Sequence, residues 1–463
     1  MIKSKQKRLI FCLASLLALS NFLFGSASLS ATPIRQVSPL IRSFRLGASE
    51  QGRPIEVVQI GAGPRKLVIV GDTHGGPEAN TYQLTLQLIA HFKANPENVP
   101  QTVSLYLIPT INPDGLALNS RFNAHQVDLN RNMNTNLDAC PENDWQTTVH
   151  GANGIVSDTG GPFMQSEGES RLIRDFLLDA AGAIFLHSNA GLVFPAFCEH
   201  LPSIKLAKVY AQASNYQYNR FWENYPIRGN MADWASSLGI AAITPELTTG
   251  EESEFAQNLA GVEEVLAQAE DLLPLAQAQI ENEITVPAII WRYWFTNGAE
   301  AVFGMPLEPA SQKPDGVIVQ NFVRFRLELK PNLKDTPYYV QPAALGSERL
   351  QILAFQHPAL QPLSPVVCKT APCPLFFAQT GHTLRESFLS YWQRNGGLNL
   401  FGYPLSEEFE TLTADGQLRI IQYFERAIFA YYPETKNVHL EPLGWQTLLL
   451  EKMQSSGATG QIR

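Results

Sequence analysis

Residues 66–78 read Lys66-Leu67-Val68-Ile69-Val70-Gly71-Asp72-Thr73-His74-Gly75-Gly76-Pro77-Glu78. The first part is a short continuous apolar run rather than a strict alternation, as expected of a strand covered on both faces. Val103–Pro109, Ala183–His187 and Ala241–Thr244 repeat that texture. Helical patterns lie between these runs, at Ala79–Phe92, Glu167–Ala180 and Glu252–Ile280. The rhythm across residues 40–280 predicts an α/β fold, a three-layer α/β/α sandwich around a mixed or largely parallel central sheet. In such folds polar residues just beyond strand ends build the site, and the quoted stretch ends that way.

The whole chain of 463 residues is 45% hydrophobic and 17% charged. At about 150 residues per domain that length predicts two or three domains with real cores and excludes a mostly disordered chain. The balance of 34 basic against 43 acidic residues, a formal charge of −9, argues against a nucleic-acid partner. At the N-terminus Lys3, Lys5, Lys7 and Arg8 precede the apolar run Leu9–Gly25 and then small residues. That pattern predicts a secretory signal over residues 1–30, an extracytoplasmic location and no membrane span once it is removed. Its loss would take four positive charges and bring the net charge from −9 to −13. Four cysteines would remain. Cys368 and Cys373 are close enough to close a small loop, which would leave Cys140 to pair with Cys198.

From residue 284 the texture turns to aromatics, glycine turns and β-type runs, and it repeats. Tyr293-Trp294…Asn297-Gly298 corresponds to Tyr391-Trp392…Asn395-Gly396, and Phe303-Gly304-Met305-Pro306-Leu307 to Phe401-Gly402-Tyr403-Pro404-Leu405, both at an offset of 98. Gln320-Asn321-Phe322 corresponds to Gln422-Tyr423-Phe424 at an offset of 102. These blocks predict tandem α+β repeat modules at 284–360 and 375–450, joined by a connector at 361–374. His382 in the second module reads as a packing or capping residue. The repeat aromatics could contact a glycan or the cell wall, and core packing explains them equally well.

Four polar clusters fall between residues 70 and 250: Asp72…His74…Glu78; Asn112-Pro113-Asp114-Gly115 with Arg121 and Val127-Asp128-Leu129-Asn130-Arg131-Asn132; His187-Ser188; and Tyr225…Asp233-Trp234 with Glu246. Histidine at a strand end, followed by glycines and a carboxylate opening a helix, can present nitrogen and oxygen ligands to zinc. Taken in order, the clusters resemble the zinc carboxypeptidase family over residues 40–282. The resemblance implies that His74, Glu78 and His187 hold one Zn2+. It implies Glu246 as general base, Arg121 as the oxyanion's partner, Asn130 and Arg131 as the clasp for a substrate's terminal carboxylate, Tyr225 as a cover over the C-terminal residue, and Asp128 as the residue orienting His74. The family places two residues between its first His and Glu, whereas three stand here. Asp72 is therefore the alternative to Glu78, and a loop bulged by Gly75 and Gly76 is what would keep Glu78 in place. His125 is expected to face solvent.

The function implied is an exported zinc metallocarboxypeptidase acting on a peptide, proteinaceous or cell-wall-derived, with a free C-terminal carboxylate. The rival reading is a catalytically inactive cell-surface binding protein that works through its repeats. For specificity, Ala232 opposes a dedicated pocket for Lys or Arg, and Arg228 is the nearest residue that would favour an acidic one.

Overall fold

The computed structural model describes residues 40–151, 154–353, 356–365, 373–413 and 415–455. The expected signal segment, Cys368 and part of the connector lie outside them. The chain opens with a hairpin, β1 (Ile41–Ala48) and β2 (Pro54–Ile60), followed by β3 (Arg65–Val70), α1 (Ala79–Ala94), β4 (Val103–Ile108) and α2 (Pro113–Leu118). After a short pair, β5 (Val149–His150) and β6 (Val156–Ser157), come α3 (Gly168–Phe176), β7 (Ala180–Phe185), β8 (His187–Ser188), β9 (Leu192–Pro195) and α4 (Leu201–Ser214). Then follow β10 (Gln217–Tyr218), α5 (Met231–Ser237), β11 (Ala241–Leu247), α6 (Phe255–Ala267) and α7 (Ala269–Leu272).

Nine of these strands make one sheet in the order β1-β2-β4-β3-β7-β11-β9-β10, with β8 also beside β11. The centre, β4-β3-β7-β11, is parallel, while β1, β2 and β9 run antiparallel to their inner neighbours. Side chains along the central strands alternate between two cores, as the pleat requires. Leu67, Ile69, Leu105, Leu107 and Ile184 meet Leu84 and Leu88 of α1, Leu206 and Tyr210 of α4, and Val262 of α6. Val68, Val70, Tyr106, Ile108, Ala183 and Phe185 meet Ile173 and Phe176 of α3 and Trp234 of α5. Both faces are therefore covered, which is why these strands read as unbroken apolar runs. The helix expected to reach Ile280 stops at Leu272, because Pro274 cannot continue it; Ile280 lies in a strand.

The second core does not end with the sheet. It runs on through Ile290, Tyr293 and Trp294 to Phe322, Phe325, Phe401 and Phe429. These belong to two successive sets of elements in the same order. The first is β12 (Gln279–Glu281), β13 (Ile284–Val286), α8 (Ala288–Thr296), α9 (Ala299–Phe303), β14 (Ser311–Gln312), β15 (Ile318–Asn321), β16 (Arg326–Leu329), β17 (Val340–Pro342) and α10 (Leu345–Leu353). The second is β18 (Leu375–Phe377), β19 (His382–Leu384), α11 (Glu386–Arg394), α12 (Gly397–Phe401), β20 (Phe409–Leu412), β21 (Leu418–Tyr423), β22 (Ile428–Tyr432), β23 (Asn437–Leu440) and α13 (Leu443–Ser455). Each set has a hairpin, two helices, a four-stranded antiparallel sheet and a closing helix. Trp294 Nε1 donates to the Gly304 carbonyl at 3.0 Å and Trp392 Nε1 to that of Gly402 at 3.2 Å. His382 is buried, its Nδ1 3.3 Å from Glu407 Oε1.

The closing helices are exchanged. At the start of α10, Ser347 N–H donates to the Glu425 carbonyl of the second set, and Gly346 lies so close to the Phe424 carbonyl that a Cβ would collide with it. At the start of α13, Trp445 N–H donates to the Val323 carbonyl of the first set, and Gly444 abuts Phe322 in the same way.

Two buried polar ties bind the first set to the nine-stranded sheet. Arg292, 3% exposed, donates from Nε to the Leu238 carbonyl at 2.9 Å and from Nη1 to those of Leu178 (3.0 Å) and Ala180 (2.8 Å). Asp335 accepts from Tyr106 Oη at 2.9 Å, pairs with Arg42, and lies 3.7 Å from Lys66 Nζ.

Candidate active site

His74 sits on the loop that leaves β3. Gly75 takes φ +51 there, and both Gly75 and Gly76 pass so close to the backbone of residues 115–120 that a Cβ would collide. Pro77 then opens a single 3-10 turn, Gly76–Glu78, ahead of α1. This tight bulge absorbs the extra residue and swings the Glu78 carboxylate back beneath His74. His187 enters from β8, which is parallel to β11 and in register with Glu246.

The three side chains converge. Glu78 Oε1 lies 2.7 Å from His74 Nδ1 and Glu78 Oε2 lies 2.9 Å from His187 Nδ1, while the two Nδ1 atoms are 3.1 Å apart. All three residues are buried, and they form a group whose ligand atoms lie within 4.8 Å of one another. Asp72 is not part of it. Its carboxylate, buried and pushed up to about 7 by desolvation, accepts instead from Thr110 Oγ1 at 2.5 Å.

Behind His74, Asp128 Oδ1 is 2.9 Å from Nε2. A carboxylate there keeps the ring proton on Nε2 and turns the Nδ1 lone pair inward. Two imidazole nitrogens and a carboxylate then face one another, a donor set that suits a metal cation. Burial raises the Glu78 carboxyl, but the His74 and His187 rings bring it well below the usual carboxylate range. Burial likewise raises Asp128, and Arg121 with His74 holds it well below that range.

Arg121 reaches the same cluster, donating from Nε to Asp128 Oδ2 (3.0 Å) and from Nη1 to Glu78 Oε1 (3.2 Å). Burial opposes its charge, and the two carboxylates more than restore it, raising its pKa. The Asn112 side chain ties this corner together: it caps α2 through Gly115 N–H at 2.9 Å and donates to the carbonyls of Thr73 (3.1 Å) and Arg121 (3.2 Å). Asn130 accepts from Met231 N–H at Oδ1 (2.9 Å), and its Nδ2 stands 3.2 Å from His187 Nε2. Arg131 donates from Nη1 to the Asn130 carbonyl at 2.8 Å, and its Nε is buried without a partner.

These groups line one cavity of about 350 Å3, together with Glu246 and Tyr225. Desolvation pushes Glu246 up to about 7, against the pull of His187. Burial raises the Tyr225 phenol, partly offset by Arg131 and Arg121. Eight of the nine residues singled out from the sequence thus share the cavity wall, and Asp128 stands directly behind it. His125 lies outside it, largely exposed and 2.8 Å from Glu167 Oε2. Arg228 does not line the cavity, whereas Arg220 and Trp222 do, and neither of these drew attention in the sequence. A disulfide joins Cys140 to Cys198 beside the cavity, with Cα atoms 6.0 Å apart.

Two histidines and a glutamate, drawn together just beyond the strands of a mixed sheet, make a candidate site for a single metal ion. The chain belongs to the zinc carboxypeptidase family, whose model matches residues 34–282; zinc is the ion of that family. Carboxypeptidase SOL1 of Arabidopsis thaliana is 29% identical over an alignment of 111 residues that covers 21% of this chain and 22% of that protein. The chain thus spans about a fifth of the curated relative it matches. Among solved structures, bovine thrombin-activatable fibrinolysis inhibitor in complex with tick carboxypeptidase inhibitor is 19% identical, covering 50% of this chain and 90% of that one at a TM-score of 0.43. Carboxypeptidase A from Helicoverpa armigera is 21% identical, covering 50% and 70% at 0.41. The murein-tripeptide amidase of Escherichia coli O157 is 21% identical, covering 47% and 91% at 0.35.

Proposed function

We propose that the protein is a zinc metallocarboxypeptidase that hydrolyses the amide bond next to the free C-terminal carboxylate of a peptide. The observation that carries this reading is the sharing of one cavity by the His74–Glu78–His187 group, Glu246, Arg121 and Arg131. Zinc, when bound, supplies a Lewis acid that acidifies a water and polarises the scissile carbonyl. Arg131 and the side-chain amide of Asn130 bind the terminal carboxylate, for which a guanidinium fork is suited. Glu246 takes the proton of the attacking water and returns it to the leaving amine. A carboxyl lifted to about 7 by burial is matched to both halves of that transfer. Arg121, kept charged and held in place by Asp128 and Glu78, faces the oxyanion. Tyr225 closes over the C-terminal residue and excludes water.

The same reading takes residues 1–30 as a signal and the mature chain as extracytoplasmic, which the Cys140–Cys198 disulfide supports. Residues 284–360 and 375–450 are two copies of one module. Their matched Trp-to-glycine hydrogen bonds and exchanged helices support that reading. Cell-wall or glycan contact is assigned to these modules. The test is metal content together with turnover. The purified protein should hold about one zinc per chain, and His187→Ala should lose both the zinc and peptidase activity. A folded protein that holds no zinc, or that keeps full activity without it, refutes the proposal.

A further inference from the structure

We infer that Arg220 and Trp222 form a wall that selects substrates whose C-terminal residue carries a side-chain carboxylate. This rests on reading the cavity as a carboxypeptidase site. Arg220 follows β10, and its guanidinium lies 4.5 Å over the Phe221 ring. Nη1 donates to the Ala196 carbonyl at 3.0 Å, and Nη2 is buried with no partner. Two residues on, the Trp222 ring stands edge-on to Phe194 (5.6 Å) and Tyr225 (5.5 Å), and its Nε1 is also buried with no partner. Both side chains line the catalytic cavity.

Buried donors without acceptors are rare in folded proteins, because desolvating a donor has a cost that only an acceptor offsets. Two such donors on one wall, beyond the orphaned Nε of Arg131, describe a site whose acceptor is supplied by the ligand. One donor is a guanidinium, so the acceptor that completes it best is an anion. A primary amide would bring its own hydrogens against donors, and an ammonium would meet like charge. With Arg131 engaged by the terminal carboxylate, the second carboxylate belongs to the side chain. The acidic groups nearby do not cancel this. Asp233 spends its oxygens on Phe197 N–H (2.7 Å) and Asn230 Nδ2 (2.6 Å), and Glu142 is exposed. Ala232 in the same lining leaves room for a side chain to reach the wall.

The experiment uses zinc-loaded Glu246→Gln protein, in which turnover is slowed roughly 1,000-fold, and calorimetric titration with N-acetylated tripeptides ending in Glu, Gln, Phe or Lys. The Glu peptide should bind at least about 30-fold more tightly than the Gln peptide, because a buried donor set rejects an analogue that cannot satisfy it. Arg220→Met in that background should cut the preference to about 3-fold or less, and Trp222→Phe, which keeps the ring, should reduce it by about 5-fold. A preference for Phe or Lys overturns the inference, as does a Glu preference that survives both substitutions in folded, zinc-loaded protein. Turnover by the unsubstituted enzyme is scored separately. Tight Glu binding with no hydrolysis of any of the four peptides refutes the peptidase reading and leaves the wall assignment standing.

Discussion

Arg292→Met severs one of the two buried polar ties between the C-terminal elements and the nine-stranded sheet while keeping most of the aliphatic packing. Arg292 donates to three main-chain carbonyls, those of Leu238, Leu178 and Ala180, at 2.8–3.0 Å in a region closed to solvent. Burial lowers its pKa to about 10, so it is charged at neutral pH and each bond is charge-assisted. At about 1.5 kcal/mol net for each bond of this kind, the loss is roughly 4.5 kcal/mol. That is a large part of the 5–15 kcal/mol by which folded proteins are usually stable. The continuous core predicts how the loss is distributed: the sheet and the C-terminal elements share one apolar cluster, so they should unfold together. Urea denaturation at pH 7 checks this with two probes, tryptophan fluorescence and release of the bound zinc. Both transitions should move to lower urea by the same amount. If the zinc site keeps its midpoint while fluorescence shifts, or if neither moves by more than about 1 kcal/mol, the two regions are energetically separate and the reasoning fails.

Three further outcomes follow from the site and its surroundings. Glu246→Gln should lower kcat by roughly 1,000-fold while leaving zinc stoichiometry unchanged, since it removes a proton acceptor and not a ligand; a variant with near-normal kcat would exclude Glu246 as the base. Gly75→Ala places a Cβ against the Ser120 carbonyl at φ +51, so dialysis against a zinc buffer should reveal weaker metal retention than in the parent protein. His200, whose pKa burial lowers to about 4 from 6.5, binds protons more readily unfolded than folded. Its contribution to stability is full above pH 6.5 and is lost as pH falls towards 4, about 2 kcal/mol of it by pH 5. His200→Asn should flatten the difference in melting temperature between pH 7.5 and pH 5, and an unchanged difference would mean that the ring titrates normally.

His187 directly follows an apolar run and His74 and Glu246 lie a few residues beyond one, so these three mark the mouth of the sheet in the sequence itself. Arg121, Asp128, Asn130, Arg131 and Tyr225, in contrast, are legible only through the order of the family's motifs. Glu78 was harder to place, because its position depends on how Gly75 and Gly76 turn, and that turn is set by residues 115–120 lying against them. Arg220 and Trp222 gave no signal: they lie in an irregular stretch between β10 and α5, where no periodicity distinguishes inward from outward. Arg292 lies inside Trp291-Arg292-Tyr293-Trp294, where an arginine reads as a solvent-facing side chain until its three carbonyl partners, distant in sequence, are brought to it. The similarity between the two C-terminal segments was legible, but identical patterns cannot say which helix closes which sheet.

That exchange has a consequence for how the molecule is made. Residues 443–455 are the last described element in the chain, yet they complete the sheet that begins at residue 311, while α10, made much earlier, waits for strands that follow it. A ribosome delivers residues in order, so the sheet nearer the catalytic core stays without its lid until α13 has emerged. The two halves can only be closed as a pair, like a clasp whose hooks are each carried by the opposite side.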